Sequence, residues 1–210
     1  MVTSSRARRQ TTGDRGDKQQ GDPEAAALEV CLRLLTAAPR TRAQLDQALR
    51  RRGVPQYAAD AALDRLARAG LVDDAAFARA WVDTRHRGRG LARRALTAEL
   101  RQRGVDEGEV RAAVADLGPE QEAAAARRLV EAKLAATRGL PMATRMRRLT
   151  GLLARKGYPA GMAYRVIREA LEQEGIDPAK AGLEMEGVLD ADAAAGEPDL
   201  DSEPGVDPGD

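Results

Sequence analysis

The sequence predicts an all-α protein made of three tandem three-helix, helix-turn-helix-like repeats that form an elongated solenoid. Three observations carry this expectation: a scarcity of strand formers, a glycine recurring at intervals of about fifty residues, and leucines at helical spacing before each of those glycines. Only 2% of the 210 residues are aromatic, and Ala and Leu supply most of the apolar mass, which favours helices over large sheets.

The recurring glycines are Gly53, Gly104 and Gly157, separated by 51 and 53 residues. Each follows a basic residue (Arg52, Arg103, Lys156) and precedes an apolar one (Val54, Val105, Tyr158). Leucines stand four and eight residues before each glycine, and small or branched apolar residues follow it at helical spacing. Such a unit reads as a helix, a left-handed glycine stop and a second helix, with a further helix upstream.

In chain order, Pro23 opens a first helix on which Leu28, Cys31, Leu32 and Leu35 share a face. Thr41 and Gln44 form a capping box for the second, whose Leu45 and Leu49 face inward. Pro55 suits the first turn of the third, which carries Ala59, Ala62 and Leu63. Asp73 or Asp74 caps the next helix, where Phe77, Ala80 and Trp81 share a face and the two aromatics read as core anchors. Leu96 and Leu100 lead to Gly104, and Asp106 with Glu109 imitates a capping box ahead of Val110, Ala113 and Val114. Pro119 opens a helix with Ala126, Leu129, Val130 and Leu134, Leu149 and Leu153 lead to Gly157, and Ala163, Val166 and Ile167 follow Pro159. The expected repeats span residues 23–70, 71–117 and 118–172. Units this small have little core of their own, so neighbours are expected to share interfaces. Residues 1–22 read as a disordered basic arm and residues 173–210 as a disordered acidic tail.

The formal net charge of +1 conceals a segregation. Residues 23–172 hold 28 basic and 18 acidic side chains, whereas residues 173–210 hold 1 and 12. A basic body implies a polyanionic partner. For the tail, two readings stand: a solubilising segment, or one that folds over the basic body and competes with its partner.

Catalytic and cofactor motifs are missing: there is no phosphate-binding glycine loop, no dinucleotide fingerprint and no zinc-protease motif. An enzyme is not expected, nor is any cofactor or metal. The single Cys31 and single His86 lack the clustered partners of a zinc site or a thiol–imidazole dyad; Cys31 reads as core and His86 as a solvated loop residue. Asp73 and Asp74 could form a carboxylate pair, but their place ahead of an apolar helical face suits capping better. No apolar run approaches the roughly 18 residues of a membrane span, and the first 22 residues lack a secretory signal's apolar segment. A cytoplasmic, reducing location is expected.

Arg85, Arg87, Arg89, Arg93 and Arg94 concentrate positive charge at and beyond the end of the Phe77–Trp81 helix. This run suits phosphate or a carboxylate-rich protein surface, or else is a solvated basic loop completing a helix C-terminus. Basic residues also precede the inward leucines of each repeat: Arg42, then Arg93 and Arg94, then Arg145, Arg147 and Arg148. Stacked repeats would align them, and the candidate contact residues are Arg42, Arg85, Arg87, Arg89, Arg93, Arg94, Arg147 and Arg148. Aromatics are too few for a base-stacking platform, which favours backbone or protein contacts without sequence readout.

The stretch Gly70-Leu71-Val72-Asp73-Asp74-Ala75-Ala76-Phe77-Ala78-Arg79-Ala80-Trp81-Val82, with Arg85, Gly90 and the run from Leu96 to Val105, resembles the central signature of the RecX regulatory proteins. Leu152-Leu153-Ala154-Arg155-Lys156-Gly157-Tyr158-Pro159 with Val166-Ile167 is similar to their carboxyl-terminal repeat. The resemblance covers about residues 25–172. It implies a non-enzymatic modulator that binds the RecA filament on DNA and depresses its ATPase and strand-exchange activities. The implied partners are RecA and single-stranded DNA, with double-stranded DNA as a further candidate, and the expected state is a monomer. A sequence-specific helix-turn-helix transcription regulator is the alternative, although the candidate reading helices are acidic or small (Asp60 to Asp64; Glu107, Gly108, Glu109).

Overall fold

The computed structural model describes residues 22–176, and the expectations for residues 1–21 and 177–210 lie outside them. Among the described residues the regular elements are nine α-helices and one short 3-10 turn, with no strand. They fall into two units, residues 22–72 and residues 73–176.

The first unit holds α1 (Pro23–Ala37), α2 (Arg42–Arg51) and α3 (Gln56–Arg68). The Thr41 hydroxyl accepts from the Gln44 N–H at 3.2 Å and the Gln44 carboxamide accepts from the Thr41 N–H at 3.1 Å, which completes the expected capping box. Gly53 then ends α2 at φ 72°, a conformation open to glycine without steric cost. Leu45, Leu49, Ala59, Ala62 and Leu63 meet Ala27 and Cys31 in one core. Leu32, expected on that face, is instead 46% exposed, because α1 meets the core through Ala27 and Cys31, flanked by Leu28, Val30, Leu34 and Leu35.

The second unit holds two three-helix sets: α4 (Asp74–Arg89), α5 (Arg93–Gln102) and α6 (Glu107–Ala113), then α7 (Pro119–Leu134), α8 (Met142–Arg155) and α9 (Ala160–Gln173). The 3-10 turn Ala135–Thr137 follows α7. In every set the first and third helices pack together, the repeated geometry that a recurring apolar pattern implies. Asp73 caps α4 by accepting from the Ala76 N–H at 2.8 Å, while Asp74 lies within the first turn. Asp106 caps α6 through the Gly108 N–H, not through that of Glu109.

The two sets of this unit are joined through main-chain contacts. The Ala92 N–H donates to the Lys156 carbonyl at 2.9 Å, the Tyr158 hydroxyl donates to the Gly90 carbonyl at 2.9 Å, and the Arg93 N–H donates to the buried Glu122 carboxylate at 2.8 Å. Gly157 at φ 84° lies so close to α5 that an added Cβ would stand 2.8 Å from the Ala95 nitrogen.

Four expectations need correction. His86 is not a solvated loop residue: α4 runs on to Arg89 because Gly90, at φ 63°, is its left-handed stop. His86 therefore follows Ala78 and Val82 at four-residue steps onto the buried face, where its Nδ1 meets the Leu91 carbonyl at 2.9 Å. For the same reason Arg85, Arg87 and Arg89 belong to the helix and not to a connection. Phe77 and Trp81 are half-buried on the flank of that face, and Ala80 is exposed. Finally, residues 173–176 belong to the fold, since Gln173 ends α9, Glu174 pairs with Arg138 and Arg145, and Ile176 packs on the core.

Candidate polyanion interface

Arginines that share a composition differ widely in their surroundings. Arg42, at the start of α2, pairs with Asp64 of α3 at 2.7 Å, and Arg87 pairs with Asp83 one turn earlier at 2.6 Å. The Arg93 guanidinium is committed to the carbonyls of Leu117 and Ala115, so it closes the turn between α6 and α7. Arg145, also singled out by its place before the leucines, is buried and bonds Thr137, the Leu134 carbonyl and Glu174. Burial of a guanidinium is tolerated here because its donors are satisfied on several sides.

In the middle repeat, Trp81 is the centre of a cationic cluster. Its ring stacks with Phe77 at a centroid distance of 5.6 Å, and the guanidinium carbons of Arg85 and Arg103 stand 4.1 Å and 3.8 Å from its centroid. The indole N–H donates to the Glu99 carboxylate at 2.6 Å. Arg103 was marked in the sequence only by its place before Gly104. The ring's electron-rich face attracts both cations and fixes them at the surface of the half-buried aromatic pair.

Two arrays of positive charge remain. Arg89 of α4, with Arg155 and Lys156 at the end of α8, brings cations of two repeats together. Burial first, then Arg89 and Arg155, hold the Lys156 ammonium below its usual pKa. The second array lines a groove of about 450 Å³ between the end of α7 and α8. Lys133, Arg147, Arg148 and Arg155 surround an apolar floor of Leu149 and Leu152. Among the described residues, none of these four cations has a carboxylate within ion-pairing distance. Arg148, Leu152 and Arg155, at steps of four and three, share one face of α8, while Met146 and Leu153 bury the opposite one and Leu149 lies between the two.

Of the candidate contact residues, Arg147, Arg148 and Arg94 are exposed. Lys133 and Arg155 escaped sequence reading. The helical spacing of Arg155 was a usable signal; the approach of Lys133 across α7 was not.

Among the described residues no group of three His, Cys, Asp or Glu side chains could hold a metal ion. Cys31 is buried, and burial pushes its thiol pKa up against the opposing effect of Arg52. No described helix is long and apolar enough to cross a membrane.

Three family models match the chain in the same order as its helix sets: the RecX first three-helix domain at residues 27–66, the second at 73–114 and the third at 120–167. The chain belongs to the RecX family. It is 63% identical to Regulatory protein RecX of Thermobifida fusca over 162 residues, which covers 77% of this chain and 88% of the relative. Identity to the Streptomyces coelicolor protein of the same name is 53% over 176 residues, covering 83% and 94%. A crystal structure of a regulatory protein RecX is similar at TM-score 0.61 and 25% identity, covering 70% of this chain and 72% of that one. RecX from Lactobacillus salivarius shares the fold at TM-score 0.63 and 17% identity, covering 70% and 96%. The all-α repeat architecture is therefore that of the RecX family, and this chain is a regulatory protein of that family.

Proposed function

We propose that this protein is a non-catalytic, cytoplasmic regulator that binds RecA filaments on DNA and depresses their ATPase and strand-exchange activities, so modulating recombinational repair. The observation that carries the reading beyond family membership is the groove lined by Lys133, Arg147, Arg148 and Arg155, whose cations have no carboxylate partner among the described residues. Guanidinium groups left unpaired around a concave surface suit phosphates or acidic protein side chains, and the cost of desolvating them is offset only by an anionic occupant. Arg89 and Lys156 extend the positive charge across two repeats, so several weak contacts can add along a repetitive polymer. Contacts of this kind act on phosphate or carboxylate without reading bases, which supports binding to single-stranded DNA, and to double-stranded DNA as a further candidate, independent of sequence.

The deciding experiment follows single-strand-dependent ATP hydrolysis by the cognate RecA as the protein is titrated from far below equimolar upward. Inhibition at substoichiometric ratios supports direct action on the filament. Inhibition confined to full coverage of the DNA reduces the function to competition for the strand. No inhibition, together with tight binding to one duplex sequence, assigns the chain instead to transcriptional regulation.

A further inference from the structure

The groove on α7 and α8 combines two properties that nucleic-acid phosphates match only in part: four cations with no carboxylate partner among the described residues, and an apolar floor of Leu149 and Leu152. Some exposed guanidinium groups of the same unit are answered locally, as in Arg127 with Glu169 and Arg168 with Glu172, and what sets the groove apart is that four cations converge on one concavity. An occupant that satisfies the groove must present both carboxylates and apolar side chains. Residues 183–190 supply both, alternating over Leu183-Glu184-Met185-Glu186 and ending Gly-Val-Leu-Asp. They lie in a stretch, residues 177–210, that holds 11 acidic residues against one lysine.

Proximity supports the match. Ile176 packs on the core of the third helix set and lines a cleft with Arg138 and Arg145. That cleft adjoins the groove, since Arg138 follows Thr137 of the groove wall and the Arg145 Nε donates to the Thr137 hydroxyl at 2.9 Å. Seven residue steps separate Ile176 from Leu183, an extended reach of up to about 23 Å. A tether this short keeps the segment near its site at an effective concentration of about millimolar.

We propose that residues 183–190 of this chain dock in the groove formed by Lys133, Arg147, Arg148 and Arg155, with Glu184, Glu186 and Asp190 meeting the cations and Leu183, Met185 and Leu189 facing Leu149 and Leu152. The groove is then an intramolecular acidic-peptide site that any external polyanion must displace. The contact belongs to the free protein and does not depend on RecA binding.

The test treats the dilute full-length protein with a water-soluble carbodiimide, which converts a touching carboxylate and ammonium into an amide, and maps the joined peptides by mass spectrometry. The expected product joins Lys133 to Glu184, Glu186 or Asp190, and disappears in molar salt and in the Arg147→Glu/Arg148→Glu variant. Reaction of Lys133 with none of these carboxylates, under conditions that modify Lys156 and Lys180, overturns the proposal. So does a product formed only between copies carrying different nitrogen isotopes, which assigns the occupant to a second molecule. A second readout uses a labelled oligothymidylate at low salt: the E184Q/E186Q/D190N variant should bind about tenfold more tightly when the groove is intact, and no more tightly when Arg147 and Arg148 are alanine. Equal tightening in both backgrounds also overturns it. Should the oligonucleotide not bind at all, the direct DNA contact of the proposed function fails while the cross-link still decides the docking.

Discussion

The Tyr158 hydroxyl donates to the Gly90 carbonyl oxygen at 2.9 Å, which ties the left-handed end of α4 to the turn that starts α9. The two residues are 68 positions apart and belong to different helix sets, so this bond is part of what makes residues 73–176 one folded unit. Tyr158 is buried and its carbonyl partner has no other use for that lone pair along α4, whose intrahelical ladder has already ended.

Tyr158→Phe keeps the ring and removes the bond, and should lower stability by about 1–2 kcal/mol in urea unfolding. Burial pushes the Tyr158 hydroxyl up to about 12 from 10.0. The folded value is the higher one, so its stability contribution is complete below pH 10 and is lost as pH rises through about 12. The variant should lack this alkaline component; equal alkaline loss in both proteins would place its origin elsewhere.

Gly157→Ala and Gly70→Ala compare two left-handed glycines, at φ 84° and 70°. Around Gly70 a new methyl meets nothing within 4 Å, so backbone strain alone acts, at about 1–2 kcal/mol. At Gly157 the methyl also collides with the Ala95 backbone, and the loss should be clearly greater. Thermal unfolding of the two variants measures the difference.

Glu174→Gln should destabilise the fold and flatten its acid limb. The Arg145 guanidinium beside it, then that of Arg138, hold the Glu174 carboxyl below its usual range. Its folded pKa is depressed, so the contribution is present above the unfolded value of about 4.5 and disappears as pH falls through the folded one. Urea midpoints measured from neutral to strongly acid pH test this, and the Gln variant should show the smaller dependence.

Arg147→Ala/Arg148→Ala should weaken binding to oligothymidylate and make its salt dependence shallower, by about 1.4 in log–log slope for two lost phosphate contacts. Arg42→Ala and Arg87→Ala, whose guanidinium groups already face Asp64 and Asp83, should change the slope much less. Equal effects from both pairs would remove the groove's special place.

The repeat was legible because its signals are local. Gly53, Gly104 and Gly157 all take positive φ, and a left-handed stop after a leucine-faced helix depends only on the residues adjoining it. Asp73 and Thr41 likewise cap helices through backbone groups three positions away. The buried place of His86 depends on one fact, that α4 passes through Gly88 and stops only at Gly90. Phe77 and Trp81 lie on the expected helix but only half-buried, and the guanidinium groups of Arg85 and Arg103 pack on the Trp81 ring.

Helix number, the glycine stops and the surplus of positive charge in the body follow from nearest-neighbour chemistry, and the linear chain is enough to determine them. Which of the arginines is available to a partner is a matter of three-dimensional neighbours. Arg42 faces Asp64 from 22 residues away, Arg145 is enclosed with Glu174 from 29, and Arg93 closes an interhelical turn 24 residues downstream. Lys133 and Arg155 converge on one groove only because α7 and α8 pack together. Charge falls off with distance through space, not along the chain, so the pairing of the cations, and with it the surface left for binding, was decided by the tertiary structure.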